Sequence, residues 1–376
     1  MRNKSEKQKN DIKPCCIPIT EHLNLCKHQL KMKLSITPAL VLIFLSTVTF
    51  ISCERIGVDG NERVPKGDVR LGGMLRVAVD EPVESFLPSM VTNAVASEIG
   101  THLHAGLLNL NPQTLEVIPG IAESWSIDNK RTSFVFNLRR GAEFHYDECF
   151  AGTSKEITAH DFKYTFELLC KGDYSDAFET TFKNRVTGAN VFNAGEANQL
   201  LGVQVIDDYT LRIELDKPDE SFLFVLAQPS TAVLSEKACA KYGLDCKVGA
   251  GPFVFSSDSE GLVLTRNQSY FLQDAFGNKL PYLDSLIFWE IGSKRNQLNG
   301  FLDGRLDIVS GVYLYPVRTV LEQHVSSFSG KNPKYIMKRE TESAGYESYS
   351  IYNANIKGFG SNFMGYRDFS RVQVEQ

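Results

Sequence analysis

No cysteine pair in this chain has the CxxC spacing, and its 376 residues contain no GxSxG elbow, no HExxH helix, no P-loop and no GxGxxG turn leading into a helix. Each absence removes a chemistry that needs those residues at that spacing, from serine hydrolysis and zinc proteolysis to nucleotide binding. Carboxylates are plentiful, so a tethered hydrolase built on two of them is the enzyme reading that the residues leave open. Basic residues form no dense patch after residue 70 and the net charge is -5. The electrostatic footprint of a nucleic-acid partner is therefore missing. No repeat or low-complexity tract occurs either. A 43% hydrophobic and 23% charged composition suits a folded protein with a sizeable core, and at roughly 100–200 residues per domain the length gives two or three domains.

What is present begins with one long uncharged run. Residues 34–52 carry no charge, follow the basic flank Lys31-Met32-Lys33, and end at Phe50-Ile51-Ser52-Cys53. A basic n-region, an apolar h-region and a small residue before the cut make residues 32–52 a signal peptide. The last four residues resemble the bacterial lipobox, in which the cysteine is lipidated, with Phe50 where that pattern prefers Leu. Pro38, the Ser and Thr residues and the terminal Cys53 favour this over a transmembrane anchor, although the run approaches the roughly 20 residues of a span. Residues 1–31 are polar, contain Cys15, Cys16 and Cys26, and are read as an extension before a start at Met32, with a cytoplasmic extension as the other reading. Residues 53–71 read as a tether, so folding is expected to begin near Gly72.

Four cysteines follow: Cys149, Cys170, Cys239 and Cys246. An even number in an oxidising compartment permits disulfides, and Cys239 with Cys246 is the pair close in sequence; four free thiols is the competing reading. No His stands at ligand spacing from that pair, so neither a metal nor a cofactor is expected.

Periodicity gives a mixed α/β chain. Residues 73–80, 133–138, 211–215, 262–266 and 285–291 read as strands, residues 94–108 as a helix, and residues 159–169 as a helix with Thr158 as N-cap. Trp125, Phe134, Phe136 and Phe144 are expected to fill a core. Gly249, Gly251 and Pro252 are expected to set a turn. His145 and His160 read as hydrogen-bonded structural residues, and His102 and His104, two apart on a helix, as residues of different faces.

A series of short motifs runs in order along about three hundred residues. Leu87-Pro88 and Ala105-Gly106-Leu107-Leu108 come first, then Trp125, Arg139-x-Gly141, Phe144-His145 and Thr158-Ala159-x-Asp161-Phe162. Gly249-x-Gly251-Pro252-Phe253, Arg266-Asn267-x-x-Tyr270, Pro281-Tyr282-Leu283-Asp284 and Phe301-x-x-Gly304-x-x-Asp307 follow. Together they resemble the bacterial solute-binding proteins of dipeptide and oligopeptide ABC importers. That resemblance implies a periplasmic-binding-protein-like clamp, with residues 72–345 as the first lobe, a subdomain inserted at about 111–235, and residues 346–376 as a hinge strand and the start of a second lobe. It implies an exported, lipid-anchored monomer that captures a peptide for a membrane permease and is not an enzyme.

The same resemblance places Thr92, Asn93 and Ala94 on the loop that runs beside the peptide backbone, and Tyr346 and Tyr349 on the crossing strand, where ordinary strand aromatics are the equal alternative. Residues 367–374 resemble the start of a second-lobe helix, and the segment from Asn355 onward is expected to be poorly ordered. A chain holding one lobe is expected to bind peptides weakly, since it contacts them on one face. Nickel, haem or sugar cargo, and a product without a working function, are the alternatives.

Overall fold

The computed structural model describes residues 63–83, 85–87, 94–172, 176–257, 261–343, 346–360 and 367–375. In chain order these form β1 (Met74–Val79), α1 (Ala94–Leu103), β2 (Leu108–Leu110), β3 (Val117–Pro119), β4 (Ala122–Ile127) and β5 (Ser133–Leu138). Then come α2 (Ala159–Lys171), α3 (Ala189–Asn193), β6 (Val203–Asp207), β7 (Thr210–Glu214), α4 (Phe222–Leu226) and α5 (Glu236–Tyr242). The last part holds β8 (Phe253–Ser257), β9 (Leu262–Arg266), β10 (Ser285–Glu290), α6 (Lys294–Leu302), β11 (Ile308–Tyr313), α7 (Leu314–Gln323) and α8 (Val325–Phe328). It closes with β12 (Tyr335–Ser343), β13 (Tyr346–Asn353), β14 (Ile356–Lys357) and β15 (Gln373–Val374).

Seven strands form one sheet in the order β12-β13-β11-β1-β10-β9-β8. Its centre is parallel, with β1 between β10 and β11, and its flanks are antiparallel. A parallel centre is covered on both faces, which is why β1 reads MLRVAV and not as strict alternation. Leu75, Val77 and Val79 pack with Ile99 and Leu103 of α1 and with Phe253 and Phe288, while Ala78 joins Leu298, Phe301, Val309 and Ile351 on the other face. The Arg76 guanidinium donates to both oxygens of Asp307 at 2.9 and 2.8 Å and so fixes β1 beside the start of β11. The Gly-x-x-Asp element is thus a sheet clamp.

A second sheet, β4-β5-β7-β6, packs against α2. Thr158 and Asp161 cap that helix, the Asp161 carboxylate accepting from Thr158 N at 2.8 Å, and Gly172 ends it with a left-handed φ of 78°. Phe134, Phe136 and Phe144 are buried in this core and Trp125 packs on its edge.

The two cores meet at a dense polar junction. His145 Nε2 bonds the Gly251 carbonyl at 3.1 Å, its Nδ1 accepts from Gly249 N at 3.3 Å, and Asn267 donates to the same Gly251 oxygen at 2.9 Å. Gly249 and Gly251 have negative φ; they are glycines because this segment presses on the end of α1. A Cβ on Gly249 would stand 2.0 Å from the Leu103 oxygen.

That contact also ends α1 at Leu103, five residues before the apolar spacing predicts. Gly251 N donates to the Leu103 oxygen at 2.8 Å, and residues 105–107 give their carbonyls to Val233, Ile121 and Ala122 instead of continuing the helix. His102 stacks on Phe369 and His104 Nε2 meets the Phe86 carbonyl at 2.9 Å, so both are structural. His160, by contrast, is exposed, 3.5 Å from Asp208.

Burial holds His102 and His104 down to about 3 and His145 to about 4, so the folded chain keeps all three neutral. The unfolded chain takes up protons below about 6.5, so stability is expected to fall as pH drops from about 6.5 towards 4. Urea melts of the chain at pH 7 and pH 4.5 check this, and His102→Phe, which keeps a ring in the stack, is expected to lose less. An unchanged midpoint for the parent chain would refute the assignment.

Three expectations change. Residues 63–71 are docked: Arg63 bonds the Pro281 and Tyr282 carbonyls at 2.9 and 2.8 Å, Lys66 N donates to Asn278, and Val69 and Leu71 pack on Tyr270 and Tyr282. Residues 355–360 and 367–375 are built into the structure, because Ile356, Phe359, Phe369 and Val372 complete the core beneath α1. Residues 367–374 form no helix; a turn leads to β15, which pairs with β14. Apart from these three, Cys239 and Cys246 stand as free thiols, the competing reading of the cysteines, in hydrogen-bonding contact with each other, and the Cys246 thiol lies 3.8 Å from the Val248 carbonyl.

Candidate functional site

In open sheets with a parallel centre, ligands gather beyond the carboxyl ends of the strands. At that edge β1 runs into Asp80, β11 reaches Tyr313, and β12 and β13 turn back, Ser343 opposite Tyr346 and Tyr313 opposite Ser348. Two register shifts mark the place. One lies in β11 between Val309 and Val312, the other in β12 between Arg339 and Glu342. Bulges free backbone groups from the ladder and re-aim side chains.

Here the freed Gly311 N donates to Glu340 at 3.1 Å. Gly311 has φ 64°, and a Cβ on it would stand 3.5 Å from Lys294 Nζ. Lys294 in turn pairs with Asp80 at 3.0 Å.

A continuous polar chain crosses behind the bulges. Arg367 donates to Glu98 of α1 and to the Ser310 hydroxyl; Ser310 and Ser350 share a bond of 3.0 Å; Ser350 donates to Glu340. The Glu98 and Arg367 side chains are only 9% and 13% exposed, so the pair is largely withdrawn from water. Burial pushes the Glu98 carboxyl above the usual carboxylate range, against the pull of Arg367, and Glu340 and Asp80 push the same way. Its Oε1 is buried without a hydrogen-bond donor among the described residues. Among the described residues, the carboxylates of Glu98, Glu340 and Asp80 thus face the cations of Arg367 and Lys294, and one buried oxygen of Glu98 has no donor.

The expected contact residues fall around this network in part. Thr92 and Asn93 lie outside the described residues. Ala94 opens α1, four residues before Glu98. Tyr346 opens β13, and Tyr349, half-buried, donates its hydroxyl to Glu347 and sits in register with Val312. The polar chain thus joins the helix of Ala94 to the strand of Tyr349. Glu98, Ser310, Gly311, Glu340, Ser350 and Arg367 escape a sequence reading, since Glu98 and Arg367 are 269 positions apart. Arg367 also lines a cavity of about 180 Å3, whose other side chains are mostly apolar, such as Leu108, Ile118 and Leu272. Among the described residues no group of His, Cys, Asp and Glu is arranged to hold a metal.

Residues 116–361 match the family described as bacterial extracellular solute-binding proteins, family 5 (middle). Di/tripeptide-binding protein 4 of Pseudomonas aeruginosa is 28% identical over 226 residues, covering 57% of this chain and 40% of that protein. Heme-binding protein A of Haemophilus influenzae is 29% identical over 182 residues, covering 45% of this chain and 32% of that protein. The chain spans less than half the length of both. Among solved structures, the periplasmic binding protein DppA of Helicobacter pylori in complex with the peptide STSA superposes with a TM-score of 0.58 at 22% identity, over 72% of this chain and 51% of the other. At that identity the likeness establishes the fold.

Proposed function

Because this chain belongs to the family 5 bacterial extracellular solute-binding proteins, we propose that it captures short peptides outside the cell for an ABC importer. The relatives it matches are binding proteins and not enzymes. The observation that carries the peptide reading is the acidic network at the bulged end of the sheet, where Glu98 Oε1 lacks a donor among the described residues. A peptide's ammonium group supplies one. Extended backbone can add further hydrogen bonds at the freed strand ends while its side chains stay hydrated, which suits varied sequences. Delivery to a membrane permease and anchoring through an acylated Cys53 belong to the same proposal.

Ligand-observed NMR on the 376-residue chain tests it, since that method detects weak contacts. Tri-alanine is expected to receive saturation with a dissociation constant weaker than micromolar. N-acetylation of the peptide is expected to weaken binding about 10-fold, the worth of one charge-assisted bond. Equal binding of both peptides would count against the role given to Glu98. Haem binding with no peptide signal would favour haem as cargo, which the Haemophilus relative's name suggests. An intact mass of the same protein released from membranes, starting at acylated Cys53, checks the anchor.

A further inference from the structure

Three thiols converge where the short helical turn at Glu148–Phe150 meets α5. Cys149 stands on the turn, Cys239 on α5, and Cys246 just after it. The helix ends at Gly243, whose φ of 57° reverses the chain, so that residues 243–245 fold back and bring Cys246 onto Cys239. The scaffold around the thiols is cross-tied. Tyr242 donates to Asp147 at 2.8 Å, Lys241 pairs with Glu148, and Lys237 reaches Thr153 at 2.9 Å. Cys246 and Cys239 share a hydrogen bond, Cys149 acts electrostatically on Cys239 and feels Cys246, and all three sit at one core, Cys246 buried in it and the other two packed against it.

We propose that Cys239 and Cys246 are a redox site that closes into a disulfide on export, while Cys149 beside them stays a thiol. The inference rests on the exported location proposed above. Electrons balance against a disulfide oxidant. The Cys239 thiolate attacks one sulfur of the oxidant and forms a mixed disulfide, releasing the first thiol. Cys246 then gives up its proton and attacks Cys239 Sγ, so the second thiol leaves and the protein disulfide forms.

The surroundings choose the order of events. The Cys246 hydrogen bond, with help from Tyr164, pulls the Cys239 thiol below its ordinary range. Burial, with Asp147 beside it, pushes Cys149 up to about 11, so little of it is thiolate at neutral pH and it is a slow attacker. The Cys246 thiol is also held high, chiefly by that same bond to Cys239, and reacts second because the first step leaves it facing a disulfide.

Lys241 lies between the pair, so trypsin leaves two peptides joined only by the bond. Protein recovered from its native host is alkylated before and after reduction and then mapped. The Cys239 and Cys246 peptides are expected to be linked, lighter by two hydrogens, and to take up label only after reduction, while Cys149 and Cys170 label after denaturation alone. Reduced 376-residue chain treated with oxidised glutathione is expected to form the same link, unchanged in Cys149→Ser and lost in Cys246→Ser. No link in that treated sample, or a link through Cys149, would overturn the inference. A link in the treated sample but none in the host-derived protein would leave the site standing and overturn the exported location.

Discussion

Gly249→Ala is expected to lower the stability of the folded chain by more than about 3 kcal/mol, a large fraction of the roughly 5–15 kcal/mol of an ordinary domain, and so to move its urea midpoint far below that of the parent. The added Cβ would meet the Leu103 carbonyl oxygen at 2.0 Å and His104 Nδ1 at 2.9 Å. Both contacts belong to the end of α1, which is held from the other side by Gly251 N. Backbone cannot swing aside as a side chain can. Relief would require moving the segment that also carries both His145 bonds, so one methyl group would disturb the junction between the two cores. Gly292→Ala is the control, because nothing lies within 4 Å of its added Cβ, and it is expected to stay within about 0.5 kcal/mol. If the two variants unfold at the same urea concentration, the close approach of this segment to α1 is wrong.

Glu98→Ala is expected to cost about 3–5 kcal/mol, since it leaves the Arg367 guanidinium withdrawn from water without its counter-charge. Glu98→Met combined with Arg367→Met is expected to recover much of that loss, because two apolar chains of similar volume remove the desolvation of both charges. The four midpoints of the double-mutant cycle give the coupling directly. A coupling under about 0.5 kcal/mol would mean that the pair is independent and that residues 367–375 are not held to the sheet through it. The methionine pair also separates stability from capture. It is expected to fold yet lose the preference for a free peptide amine, since the unpartnered carboxylate oxygen is gone.

Much of the fold is legible in the residues themselves. The alternation in residues 133–138 and the Phe162, Phe166 and Leu169 spacing after Thr158 state local structure directly, because a strand or helix needs one apolar face wherever the chain later goes. The site is less legible. Arg367 is one basic residue among 40, and only the sheet order brings it to Glu98 on one side and Ser310 on the other. The length of α1 is hidden for a related reason. Ala105, Leu107 and Leu108 continue the helical spacing, but Val233, Ile121 and Ala122 compete for the backbone carbonyls there and win. The docking of residues 63–71 was equally hidden, since a charged, Gly-containing segment looks like linker until Arg63 finds the Pro281 and Tyr282 carbonyls.

The sequence by itself determined the family, the mixed α/β class and the aromatic core of the smaller sheet, because these follow from ordered motifs and from periodicity, which are local properties. Tertiary structure alone decided that Gly249 and Gly251 serve a close approach and not a turn, that Phe369 and Val372 complete a core beneath α1, and that Glu98, Arg367, Ser310 and Glu340 form one network. Burial and pairing between distant positions depend on how the sheet is ordered, and no short window of the chain contains that information.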